Sequence, residues 1–276
     1  MRIQLFETGY FYADGGAMFG AIPKTAWSRR YPADENNGCI LAMRSALVLT
    51  DDGRHILIDT GAGRRQIEAL AYYRFFQLAD LAAELRRLGT APEDITDVVL
   101  THLHFDHCGD CTRPTGPDNR FSPLFPKATY WVSRPQWDHL LQPHPLERDS
   151  YFPESMQAVA EGGQLQKIEE DCRFGQQVEL RLFGGHTEGQ IVVYLYDKKQ
   201  TVVFAGDVIP LAASLSPGWI SAYDTEPLVS YTEKVRLLDE AAREGQTVIY
   251  GHDAYTAAST VRKIKDFYRI DRKITF

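Results

Sequence analysis

Apolar residues along the chain fall into short runs, several of which end on a histidine, an aspartate or a glycine turn. Residues 3–9 read as an edge strand. Residues 39–50 form a mostly apolar strand, Asp51-Asp52-Gly53 a hairpin turn, and residues 55–59 the returning strand. Asp97-Val98-Val99-Leu100 is a valine-rich run of the kind buried in a sheet. Residues 128–132 predict another strand, with a helix starting at Arg134. Residues 177–183 alternate as a half-exposed strand, residues 191–196 and 201–205 make a hairpin, and residues 247–250 are the last strand.

Helical spacing is rarer. Leu78, Leu81, Leu85 and Leu88 share one face of a helix predicted within residues 64–88, with Gly89 as its stop. Ser230 and Glu233 fit a capping box opening a helix that Gly245 ends. Residues 255–268 read as a closing helix, basic on one face. Residues 14–24 read as a glycine-rich loop, either a packed turn or a wall over a site. Residues 112–127, with Pro114, Pro117, Pro123 and Pro126, read as a loop. This order predicts an α/β (α+β) chain arranged as a four-layer αββα sandwich, two mixed β-sheets with outer helices.

With 276 residues, 44% hydrophobic and 24% charged, the chain has enough apolar content for a large core. A net charge of −7 argues against general binding to nucleic acid or an anionic membrane but leaves room for an anionic substrate at a locally cationic centre; a small-molecule substrate is the expected partner. No apolar run approaches a membrane span and the first residues show no secretory pattern, so a cytoplasmic location is expected. Four cysteines do not suggest a disulfide framework. Cys108 and Cys111 match CxxC but overlap a histidine-rich loop, and are read as incidental small residues. Oligomeric state is not legible.

That loop carries the chemistry. Thr101-His102-Leu103-His104-Phe105-Asp106-His107 places three histidines and an aspartate within six positions, just after the buried run 97–100. His102 and His104 fall on one side of an extended segment, and Asp106 and His107 follow where the chain turns. Three further strand-like runs end on His186, Asp207 and His252. Imidazoles and carboxylates at this density suit zinc or a similar borderline metal. The ligand types span His102 to His252, so a boundary between them would cut the site, and one domain over residues 1–276 is expected. His139 and His144 lack a second ligand at useful spacing and are assigned to surface or lid.

The motifs THLHFDHCGD, GGHTEGQ, FAGD and YGHD, in that order, with Ile58-Asp59-Thr60-Gly61-Ala62-Gly63 ahead of them, resemble the metallo-β-lactamase fold superfamily of hydrolases. The resemblance implies a first metal on His102, His104 and His186, a second on Asp106, His107 and His252, and Asp207 bridging them. It implies two zinc ions, with manganese or iron as alternatives, and a shared hydroxide as nucleophile toward a small ester, lactone or related bond. It makes Asp59 the residue that orients a ligand, and Asp106 a proton carrier to the leaving group. By likeness to lactonases and organophosphate hydrolases, Met18, Phe19, Phe105, Trp219 and Tyr223 are candidate substrate contacts. The tyrosine that quorum-quenching lactonases carry after the bridging aspartate is absent, since Val208-Ile209-Pro210 follows Asp207, and Tyr223 is the candidate replacement. Gln190 stands where glyoxalase II-like thioesterases carry histidine. A thioesterase or phosphoesterase is the first alternative, and a mononuclear iron persulfide dioxygenase the second.

Overall fold

The structure, a computed structural model, describes residues 1–115 and 120–276, so Pro117 of the expected loop lies outside the described residues. The chain forms two compact units, Met1–Gly9 with Met43–Glu170, and Tyr10–Ala42 with Asp171–Phe276. In chain order the elements are β1 (Arg2–Asp14), α1 (Gly15–Phe19), α2 (Lys24–Trp27), β2 (Gly38–Leu49), β3 (His55–Ile58), α3 (Leu81–Arg87), β4 (Asp97–Val99), α4 (Phe105–Cys108), β5 (Thr112–Thr115), β6 (Arg120–Pro123), β7 (Thr129–Ser133), α5 (Arg134–Leu141) and α6 (Glu154–Glu161). They continue with β8 (Leu165–Ile168), β9 (Cys172–Phe174), β10 (Val178–Phe183), β11 (Gln190–Tyr196), β12 (Thr201–Phe204), α7 (Pro227–Glu244), β13 (Thr247–Ile249), β14 (Ala258–Ile264) and β15 (Phe267–Ile274).

One sheet runs β1-β2-β3-β4-β7-β8. β2 and β3 are antiparallel across the Asp51-Asp52-Gly53 turn, and β3, β4, β7 and β8 are parallel. Parallel neighbours need long crossovers, supplied by α3 between β3 and β4 and by α5 and α6 between β7 and β8. The first unit's core packs Leu47, Leu57 and Val98 of the sheet with Leu81 and Leu85 of α3 and Met156 and Val159 of α6. Each such aliphatic side chain contributes about 1.5–3 kcal/mol when fully buried.

The other sheet runs β15-β14-β13-β12-β11-β10-β9, antiparallel except between β12 and β13. That single parallel step is bridged by α7, whose Leu237, Leu238 and Ala241 pack on Val192, Val203 and Val248. Two mixed sheets, each with its own helices, are the mixed α/β fold class expected. No helix among the described residues is long and apolar enough to cross a membrane.

Several local expectations are corrected. Residues 255–268 are not a helix: they open the β14–β15 hairpin, turned at Lys265 with φ 53°. The run Ala258-Ser259-Thr260-Val261 is fully buried, so sheet packing outweighs the helical spacing of the charges. The helix within 64–88 shrinks to α3, because Arg74 and Gln77 take left-handed backbone and Asp80 caps a fresh start at Ala83 N–H. Ser230 is not a cap, since α7 begins at Pro227. Glu233 instead accepts from the Gly184 and Gly185 N–H groups. Residues 112–127 hold the small antiparallel strand pair β5 and β6, and the 14–24 loop opens with α1, capped by Asp14.

Candidate metal centre

In the first unit, β3 and β4 run parallel with Ile58 opposite Val99, so the segments leaving their C-terminal ends lie side by side. Asp59 follows β3 with φ 57°, a left-handed conformation that Asp and Asn tolerate better than most residues. It is buried and accepts from Thr101 N–H (2.7 Å), from Thr101 Oγ1 (2.8 Å) and from His107 Nδ1 (2.8 Å). Thr60 N–H donates to His107 O at 2.7 Å and Gly109 N–H to Gly61 O at 2.8 Å. The approach is close enough to require glycine: a Cβ on Gly109 would lie 2.0 Å from Ala62 O.

Extended backbone through His102, Leu103 and His104 turns Leu103 into the core and sets the two imidazoles together, ring centroids 4.5 Å apart. α4 then brings His107 to 3.9 Å from the His102 ring. Asp106 Oδ2 sits 3.7 Å from His107 Nε2. On its far side, His104 Nε2 meets Glu147 Oε2 at 3.3 Å.

In the second unit, β12 and β13 run parallel and release Asp207 and His252, while β10 releases His186. The His186 turn is held by α7: Glu233 takes the Gly184 and Gly185 N–H groups, and a Cβ on Gly185 would strike the Ser230 backbone at 2.4 Å. His186 Nδ1 is 3.0 Å from Asp224 Oδ1. His252 Nδ1 is 2.7 Å from Ala42 O. Turned with its oxygen toward the chain leaving β12, the buried Gln190 amide accepts from Asp207 N–H at 2.7 Å, which gives Gln190 a structural use. Asp207 places Oδ1 at 3.0 Å from His252 Nε2 and Oδ2 at 3.5 Å from His186 Nε2.

The hydrogen bonds define the ring tautomers. Carboxylates and carbonyls only accept, so His107, His186 and His252 carry their proton on Nδ1 and keep a lone pair on Nε2. His102 follows, since Thr101 Oγ1, donating to Asp59, accepts from His102 Nδ1 at 3.1 Å. His104 is reversed, with Nε2 held by Glu147 and the lone pair on Nδ1. The Nε2 lone pairs of His252 and His186 then face the oxygens of Asp207. Acceptors facing acceptors at this distance are stabilised by a cation between them, and outer partners that fix ring orientation are what metal-binding imidazoles require. Donors of this kind fit a divalent metal.

The other candidates are placed as follows. Phe105 is buried against Tyr73 (5.1 Å) and Phe75 (6.1 Å). Met18 and Phe19 are buried on α1. Phe19 stacks on Trp27 at 5.0 Å and meets Trp219 edge-on at 5.8 Å, with Arg30 4.0 Å over the Trp219 ring. Tyr223 is exposed. Burial pushes the Cys108 and Cys111 thiols well up, which removes them as nucleophiles and agrees with a packing role. His139 is not a bare surface residue: its Nδ1 is 3.0 Å from Glu147 Oε1. Glu147, Asp224, Glu233 and the Ala42 carbonyl carry no sequence signal for these roles, since each is local to a segment remote from the motif it serves.

A fold and a donor set of this kind define a class. The family model described as the Metallo-beta-lactamase superfamily matches residues 41–112 and 122–267, and the chain belongs to that superfamily. It is a metallo-hydrolase. Among curated relatives, the N-acyl homoserine lactonase AiiB of Agrobacterium fabrum is 25% identical over 236 residues, 83% of each chain. A solved structure described as a "probable metal-dependent hydrolase from Staphylococcus aureus" matches with a TM-score of 0.90 at 26% identity, over 100% of this chain and 96% of that one. AidC, a dizinc quorum-quenching lactonase, shares the fold with a TM-score of 0.77 at 19% identity, over 100% of this chain and 97% of its own.

Proposed function

We propose that the chain is a single-domain, dinuclear metal hydrolase that opens a small ester or lactone, with an acyl-homoserine lactone as the leading substrate class. One divalent metal is assigned to His102, His104 and His186, the other to Asp106, His107 and His252, with Asp207 shared. Zinc is the first choice for this mixed nitrogen and oxygen donor set. The observation that supports the reading is that all five imidazoles have one ring nitrogen hydrogen-bonded outward, which leaves the other carrying its lone pair, as a ligand atom must. The AiiB relatives, N-acyl homoserine lactonases that match over 83% of the chain, support the substrate class.

When bound, two such ions supply Lewis acidity and activate water near neutral pH. The chain's own residues do the rest. Asp59, Asp224 and the Ala42 carbonyl hold imidazoles in one tautomer. Asp207 offers one oxygen to each side. Asp106, about nine-tenths buried, is the carboxylate we assign to carry a proton to the leaving oxygen. Met18, Phe19, Phe105, Trp219 and Tyr223 are assigned to the acyl side of the substrate.

The test is metal analysis of the purified chain followed by turnover of acyl-homoserine lactones, thioesters, phosphodiesters, phosphotriesters and β-lactams. Two equivalents of a divalent metal and preferred lactone opening are expected. A single iron with persulfide oxidation, or a chain without stoichiometric transition metal, overturns the reading. Preferred thioester cleavage overturns the substrate class.

A further inference from the structure

We propose that Glu147 is the positioning residue for His104, holding its ring as the Nε2–H tautomer so that Nδ1 is presented to the metal, and that His139 and Tyr151 hold Glu147 for that task. The proposal rests on the dinuclear reading above. Four of the five candidate imidazoles are anchored through Nδ1 and offer Nε2. His104 is anchored through Nε2, and Glu147 Oε2 is its partner at 3.3 Å. An acceptor there holds the proton on Nε2 and leaves the Nδ1 lone pair as the ligand atom.

Glu147 is built for the role. Its side chain is 6% exposed, and a buried carboxylate needs donors to remain there. Its donors include His104 Nε2, His139 Nδ1 at 3.0 Å on Oε1, and Tyr151 Oη at 3.3 Å on Oε2. The support extends outward. The Tyr151 ring meets the His104 ring edge-on at 4.9 Å, and its hydroxyl, whose one proton is directed at Glu147, lies 3.3 Å from Gln136 Oε1, the oxygen that accepts from Leu103 N–H at 2.9 Å. α5 supplies His139 and Gln136, so this helix and the segment after it grip the HxH turn from one side. A tie that only closed the 142–151 loop would have no need of a carboxylate aimed at a ligand imidazole with its second oxygen on another histidine.

The experiment uses the full chain with Zn²⁺ alone as probe. Zinc affinity is read by competition with a chromophoric chelator, and the His104 tautomer by long-range ¹H–¹⁵N correlation in metal-free protein. In the wild type, two tight equivalents and an Nε2–H signal for His104 are expected. In Glu147→Met, which removes the acceptor at similar volume, one equivalent stays tight and the other weakens about 10–100-fold, the range for loss of a partner behind a ligand. The Nε2–H tautomer is lost or becomes mixed, and Glu147→Asp recovers part of both. Unchanged tautomer with both zinc constants within twofold of wild type overturns the proposal. Should Glu147→Met fail to fold, the same comparison on Glu147→Asp and His139→Ala decides. A wild type that binds no zinc sinks the dinuclear reading instead, while the tautomer measurement still judges the Glu147–His104 assignment on its own.

Discussion

Asp59→Asn separates two roles that this carboxylate combines. Asp59 accepts from Thr101 N–H, Thr101 Oγ1 and His107 Nδ1 at 2.7–2.8 Å, from a position with φ 57°. Asparagine tolerates that backbone and keeps one oxygen for Thr101 N–H. Its amide nitrogen then faces two donors. The Thr101 hydroxyl can rotate to accept, but the His107 ring must give up its Nδ1 proton and carry it on Nε2, the nitrogen assigned to the metal. Replacing charge-assisted bonds by neutral ones lowers metal-free stability by about 1–3 kcal/mol. Metal affinity falls about 10–100-fold, or roughly 1.4–2.7 kcal/mol. Asp59→Ala behaves differently. It strands Thr101 N–H and His107 N–H in a buried setting, at about 1–3 kcal/mol each, and adds about 1–2 kcal/mol for a left-handed alanine. Urea unfolding in chelator gives the stabilities, and zinc competition gives the affinities. If Asp59→Asn binds zinc as tightly as the wild type, Asp59 only ties the end of β3 to Thr101 and the tautomer argument is wrong.

Two further outcomes follow from packing and burial. Gly109→Ala drives a Cβ to 2.0 Å from Ala62 O, backbone that cannot swing aside, and is expected to lower stability by about 3 kcal/mol in urea unfolding, whereas Gly184→Ala, with open space around it, is expected to change little. An equal effect of the two would contradict the close approach. Lys234 is fully buried with Nζ 2.8 Å from Trp219 O, and burial pushes its ammonium down to about 8. Below pH 8 both folded and unfolded chains carry the proton and the folded state bears the whole penalty. Between pH 8 and the ordinary lysine value the folded state alone has lost it, so stability relative to Lys234→Met should rise by about 3 kcal/mol over that interval. Parallel stability curves for the two proteins from pH 7 to 10.5 would refute this.

Which features were legible follows from how far each travels along the chain. β2, β3, β4, β11, β12 and β13 were readable because each is a short apolar run buried in a sheet, and burial writes itself into consecutive residues. The histidines and aspartates were readable because they stand directly after those runs. Residues 255–268 suggest a helix because Arg262, Lys263 and Lys265 are solvent-facing and fit one helix face, while the burial that decides for a strand sits in Ala258-Ser259-Thr260-Val261. The Ser230–Glu233 pair met the capping pattern, but Glu233 serves two amides at the end of another strand, a use that only the packed structure reveals. The aromatic run 72–76 gave only one 3-10 turn at Ala71–Tyr73, because Arg74 and Gln77 take left-handed backbone, and the Tyr73 and Phe75 rings pack on each other and on Phe105.

The same distinction bears on how a divergent member of this fold is tuned. A strand end delivers an imidazole, but an imidazole has two nitrogens, and only its outer partner decides which one is a ligand atom. Those partners here are chemically diverse: Asp59 for His107, Asp224 for His186, the Ala42 carbonyl for His252, the Thr101 hydroxyl for His102 and Glu147 for His104. A backbone carbonyl cannot be removed by substitution, whereas Glu147 and Asp224 can each be changed without touching a ligand. Substitutions at those two positions should therefore weaken the metal assigned to His102, His104 and His186 and spare the one assigned to Asp106, His107 and His252, while leaving THLHFDHCGD, GGHTEGQ, FAGD and YGHD intact. That makes the outer carboxylates, rather than the motifs, the place where metal affinity in this chain is adjustable.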